Sequence, residues 1–185
     1  YVGIGAPCDL CRSERMYNAD SLEPMAPNDE WGTILEFNVD GTGRRIFASG
    51  IRNVVGMTIH PLTNELWGDH NGFDIGGPHV PPEWVDIIRE DDFMGYPFAY
   101  GYQVWAAFPT PAYRDEILPI TALDSARVAT MQRPAALVPA HTAPMGIHFY
   151  DHGQFPAKYR NAAFVALHAG HAKLAPIEGY SVVAL

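Results

Sequence analysis

The pentapeptide Gly56-Met57-Thr58-Ile59-His60 returns later in the chain as Gly146-Ile147-His148-Phe149-Tyr150. In each copy a glycine opens a short apolar run, a turn follows, and a second apolar run comes after it. That second run is Leu66-Trp67 in the first copy and Phe164-Val165-Ala166-Leu167 in the second. The two second runs end at His70 and His168, which the alignment pairs. The opening Tyr1-Val2-Gly3-Ile4-Gly5-Ala6-Pro7-Cys8-Asp9 reads as a third copy of the second run. Such a repeat constrains the fold sharply, because a unit of this size buries its apolar face only by stacking on its neighbours. Small antiparallel sheets with long loops at one end, recurring at about 40–45 residues, have the pattern of propeller blades.

The rest of the chain agrees. Short apolar runs (YVGIGAP, GTILEFNV, RRIFASG, GMTIHP, ELWGDH, EWVDII, ALVPA, MGIHFY, AAFVALH and GYSVVAL) are separated by Gly, Pro, Asn and Asp turns. With 17 Gly and 16 Pro there is little room for long amphipathic helices. Helical pattern is confined to Glu14 to Leu22 and to Ala122 to Gln132. Tyr102 to Arg133 has the weakest pattern and reads as a long excursion, a candidate functional loop. The expectation is an all-β fold, a single partial β-propeller domain over residues 1–185 with roughly three blades of four-stranded antiparallel sheet. The chain opens and closes in strand-like runs, so an incomplete ring is expected at both ends. Its unpaired blade faces would favour self-association.

Hydrophobic residues make up 48% and charged residues 18%, a folded rather than a disordered composition. A net charge of −9 argues against a nucleic-acid partner, which calls for a basic surface. No apolar run approaches the roughly 18 residues of a membrane span.

Polar residues gather at one end of the Val54–Trp67 hairpin. Arg52 and Asn53 precede its first strand; Asp69, His70 and Asn71 close its second. In a propeller the loops at that end converge around a central channel, so these residues read as one sector of a ring. His70, His141, His168 and Asp69 also raise a metal-enzyme reading, but no metal-ligand spacing such as HExxH supports it. Cys8 and Cys11 form a lone Cys-x-x-Cys. Zinc would need a second pair, and a thioredoxin-like motif a βα context.

Four stretches, Phe47 to Asp74, Pro81 to Ile88, Met94 to Gly101 and Phe155 to Leu185, together resemble the glucose/sorbosone dehydrogenase family. The resemblance implies a segment of a six-bladed β-propeller that binds pyrroloquinoline quinone (PQQ) and calcium and oxidises sugars in the periplasm or outside the cell. It also implies that Cys8 and Cys11 form a short-loop disulfide, as fits an oxidising compartment.

Residue by residue, the family's quinone-facing Arg-Asn pair falls on Arg52 and Asn53. A guanidinium keeps its charge and offers fixed donors to a developing oxyanion. The backbone carbonyls that hold the family's calcium fall on Gly72 and Phe73, where relatives carry Pro in place of Phe73. Calcium accepts such oxygens readily. His141 and Thr142 fall on a loop that approaches the cofactor, Thr142 being the repeat equivalent of Arg52. Lys173 stands where relatives carry an Arg, and could pair with a cofactor carboxylate without a bidentate fork. His171 replaces a Trp. The family's general base is a His expected upstream of Tyr1, and no His precedes His60 here. Two other readings fit the same pattern: a propeller used as a non-catalytic binding module, and a calcium-dependent lactonase-type hydrolase. The electron acceptor and the particular sugar are not legible.

Overall fold

A complete four-stranded antiparallel sheet occupies the middle of the computed structural model, flanked by a three-stranded sheet on each side. The structure describes residues 1–12, 26, 28–107, 117–168 and 179–185. The first sheet contains β1 (Val2–Ile4), β2 (Thr33–Glu36) and β3 (Arg45–Ser49). The middle sheet orders β4 (Asn53–Ile59), β5 (Leu66–Asn71), β6 (Glu83–Ile87) and β9 (Ala136–Val138). The last contains β10 (Pro144–Phe149), β11 (Ala163–Leu167) and β12 (Ser181–Ala184). Every apolar run picked out in the sequence forms one of these strands. A separate two-stranded ribbon, β7 (Ala99–Tyr100) with β8 (Val104–Trp105), was not legible.

The sheets stack face to face as consecutive propeller blades. One buried cluster, including Ile34, Phe47, Ile51, Val54 and Trp84, lies between the first and middle sheets. A second, including Val85, Val138, Ile147, Phe149 and Val165, lies between the middle and last. With both faces covered, β6 is buried at four successive residues, Glu83 to Asp86, rather than at alternate ones. β1 occupies the second-strand position expected of it, packing beside β4 of the next blade as β5 packs beside β10. A β-carbon on Gly3 would come within 2.7 Å of the Val54 carbonyl oxygen, so glycine permits that close approach.

The repeat is carried in the backbone as well as in the residues. β4 slips register between Val54 and Met57, and β10 slips between Pro144 and Ile147, each bulge including the shared glycine. The register also corrects the alignment of the second strands. Val54 faces His70 and Pro144 faces Leu167, so the counterpart of His70 is Leu167, and His168 matches Asn71. One residue of slip turns a side chain to the other face of a sheet. His70 is accordingly buried and His168 exposed.

Between β6 and β9 the chain leaves the blade, and this insert includes the excursion expected around Tyr102 to Arg133. Its described part carries β7, β8 and α1 (Ala122–Thr130), which matches the second predicted helix. Thr121 caps α1 reciprocally: its Oγ1 accepts from the Asp124 N–H at 3.1 Å, and Asp124 Oδ2 accepts from the Thr121 N–H at 2.8 Å. Asp124 also receives the Arg12 guanidinium at 3.0 and 3.2 Å, tying the insert to the segment after β1. The helix expected over 14–22 lies outside the described residues.

Candidate functional site

The register of the middle hairpin brings the predicted polar residues together. Asn53 at the start of β4 faces Asn71 at the end of β5, and Val54 faces His70. Arg52, one residue earlier, sits at the mouth. Its guanidinium reaches Asp9 Oδ1 at 3.5 Å, and its Nε is buried without a hydrogen-bond partner among the described residues. No hydrogen bond ends on the Asn53 side chain among the described residues. Arg52, Gly72, Phe73 and Tyr100 line one small pocket.

His70 is not available for acid–base work. Its ring stacks on Trp84 with centroids 4.4 Å apart, and Nε2 accepts the Arg52 backbone N–H at 3.0 Å. Burial, helped by the neighbouring Arg52 charge, lowers its pKa to about 3, so the ring is neutral at ordinary pH. Asp69 is fully buried at the seam between two blades, where Oδ1 accepts from the Gly56 N–H at 2.8 Å. Burial pushes its pKa up to about 6, against the lowering by the Gly56 and Gly146 amides.

The loop after β5 carries Gly72 and Phe73. Neither carbonyl accepts a hydrogen bond among the described residues, which leaves two oxygen donors of the kind a hard cation takes. The Gly72 N–H donates to Glu83 Oε2. A β-carbon at position 72 would meet Pro81 Cγ at 2.7 Å, so glycine here reflects close packing. The other oxygen of Glu83 accepts the His141 N–H at 3.1 Å. Burial raises the Glu83 pKa to about 8 despite these two donors.

His141 is buried, its Nε2 2.7 Å from the Gly77 carbonyl and its Nδ1 3.6 Å from Asp74 Oδ1. Thr142 is also buried, and its hydroxyl donates to the Pro139 carbonyl at 2.8 Å. Asn71 Nδ2 donates to the Pro144 carbonyl at 2.8 Å, linking the middle blade to the inner strand of the next. Lys173 and His171 lie outside the described residues.

Cys8 and Cys11 are joined in a disulfide. Tyr96 clamps that loop, its hydroxyl accepting from the Cys11 N–H and donating to the Cys8 carbonyl, both at 3.1 Å. The loop holds Asp9, whose two oxygens accept the Asp74 N–H at 2.8 and 3.0 Å. Burial raises the Asp9 pKa, countered in part by that backbone donor.

The family model for glucose/sorbosone dehydrogenase matches residues 32–183, most of the chain. The chain belongs to the glucose/sorbosone dehydrogenase family. An uncharacterized protein of Borreliella burgdorferi is 32% identical over 162 residues, covering 86% of this chain and 39% of its own length. Among solved structures, the holo PQQ domain of pyranose dehydrogenase from Coprinopsis cinerea superposes with a TM-score of 0.67 at 20% identity. That match covers 98% of this chain and 48% of the other. The calcium structure of a Carbohydrate-Active Enzymes Family AA12 protein from Trichoderma reesei gives 0.61 at 18% identity, over 98% and 48%. The apo soluble aldose sugar dehydrogenase of Escherichia coli gives 0.52 at 19% identity, over 83% and 44%. The chain thus spans less than half the length of these relatives, as a partial propeller does.

Two site residues were missed in the sequence: Asp9 and Glu83. Glu83 had left a signal, a carboxylate opening the apolar run Trp84-Val85-Asp86-Ile87-Ile88. Asp9 was hidden inside the Cys-x-x-Cys, which drew attention to its sulfurs instead.

Proposed function

We propose that this chain is part of a PQQ- and calcium-dependent sugar dehydrogenase exported from the cytoplasm, and that the quinone sits at the mouth formed by Arg52, Asn53 and the loop after β5. The observation that carries this reading is the Arg52 Nε, buried without a partner in the same pocket as Gly72 and Phe73, whose carbonyls are free among the described residues. A buried N–H donor left unmade is costly, and an acceptor oxygen of a ligand would satisfy it, while Asp9 already balances the guanidinium charge. Two carbonyls without hydrogen-bond donors among the described residues suit a calcium ion beside that ligand. Bound PQQ would accept the electron pair taken from the sugar.

The protein's part is then to bind and to hold charge. Arg52 supplies a fixed positive charge and directed donors at the reacting oxygens, with Asp9 restraining its guanidinium. The Asn53 amide offers a further hydrogen bond. Gly72 and Phe73 hold the cation by their carbonyl oxygens. The proton-accepting His is proposed to lie outside these residues, since His70 has its Nε2 occupied and its ring buried. The Cys8–Cys11 bond supports an exported location, because such bonds persist in oxidising compartments.

The test uses the intact protein. Adding PQQ with calcium is expected to change the quinone absorption spectrum and to give aldose oxidation with an artificial acceptor. Arg52→Ala is expected to lower turnover by about 10²–10³-fold. Full activity in that variant, or no spectral change in the wild type, overturns the reading.

A further inference from the structure

We propose that Glu83 is a positioning residue for calcium, locking together the two loops at the channel end of the middle blade. The inference rests on the reading of Gly72 and Phe73 as calcium-holding carbonyls. Glu83 opens β6 and is 3% exposed. One carboxylate oxygen takes the Gly72 N–H, on the loop that carries both carbonyls. The other takes the His141 N–H, on the turn leading into β10, the inner strand of the next blade. A single side chain therefore fixes one loop of the middle blade against the entry to the last.

The chemistry explains why a carboxylate stands here. Two converging backbone donors need two acceptor oxygens, and only Asp or Glu supplies both. Gln offers one oxygen, and its amide nitrogen would face an N–H. Packing restricts the loop further, since Pro81 and Glu83 Oε2 lie 2.7 and 3.3 Å from where a β-carbon of Gly72 would sit. Neutral carbonyls bind a cation weakly unless they are held in place beforehand, because ordering the loop opposes binding.

Calcium binding to the quinone-free intact protein, followed by titration calorimetry, tests this directly. Glu83→Gln is expected to weaken calcium binding by tenfold or more. Asp86→Asn, on the same strand but with its carboxylate turned to the Ala135 and Ile87 N–H groups, is expected to leave it within twofold. Glu83→Gln protein should regain wild-type turnover at excess calcium, the shift appearing in the calcium requirement and not in kcat. Should Glu83→Gln fail to fold, hydrogen exchange in the wild type still decides: the Gly72 and His141 amides should both be protected, and more so with calcium. Wild-type calcium affinity in Glu83→Gln, or exchange of either amide at the rate of an open loop, overturns the proposal. A wild type that binds no calcium overturns the functional reading itself, a result distinct from either.

Discussion

The backbone N–H of Arg52 donates to Nε2 of His70 at 3.0 Å, so a histidine lining the same pocket supports the chain that presents the guanidinium. His70→Phe keeps the stacking on Trp84 but leaves that N–H without an acceptor, at a cost of about 1–3 kcal/mol. Turnover of the folded variant should fall far less than the roughly 10²–10⁴-fold expected from losing a general base. Steady-state kinetics beside denaturant unfolding separate the two roles. The acid limb of stability should flatten as well. A His held at about 3 when folded, against 6.5 unfolded, contributes stability that is present above pH 6.5 and lost as pH falls through that window.

Asp69 has the opposite sign. Its folded pKa, about 6, lies above its ordinary 3.8, so the folded state binds the proton more tightly. Stability from this group is full below pH 3.8 and is lost as pH rises through 6. The stability of Asp69→Asn relative to wild type should therefore improve between pH 4 and 6 and level off above. Unfolding curves across that range check it; a difference independent of pH would show that Asp69 titrates normally.

The two repeat glycines should respond differently to the same change. A β-carbon on Gly56 would lie 2.4 Å from Asp69 Oδ2 and 2.7 Å from the Gly146 Cα, whereas one on Gly146 meets nothing within 4 Å. Gly56→Ala should destabilise by about 1–3 kcal/mol, since backbone of the next blade must move. Gly146→Ala should be neutral or stabilising by up to about 1 kcal/mol, through the unfolded chain. Thermal melts of the two variants provide the comparison.

Thiol titration of the denatured, unreduced protein should find neither Cys8 nor Cys11 free. Replacing both by Ser opens a very short loop, for which chain entropy predicts a loss of about 2 kcal/mol. Because that loop carries Asp9, which holds both Arg52 and the Asp74 N–H, the variant should also bind the quinone less tightly. Unchanged quinone binding would show that Asp9 keeps its place without the cross-link.

Strand identity, blade repetition and the pairing of Arg52-Asn53 with the end of β5 were legible in the sequence, because they follow from local rules. Period, turn residues and a repeated glycine act over a few neighbours, and a hairpin brings its own two ends together. The pairing of His70 with His168 failed because a bulge in the inner strand fixes which residue faces which, and counting along the second runs does not reveal it. Glu83 reaching both Gly72 and His141, Asp9 reaching Arg52 and Asp74, and Asp69 buried at Gly56 all join residues distant in the chain. Such contacts depend on how one blade packs on the next and where a loop returns. The sequence by itself determined which segments are strands and which residues could do chemistry at the channel. Tertiary packing alone decided which carboxylates are buried and what they hold, because desolvation and hydrogen bonding at a seam depend on both sides of it.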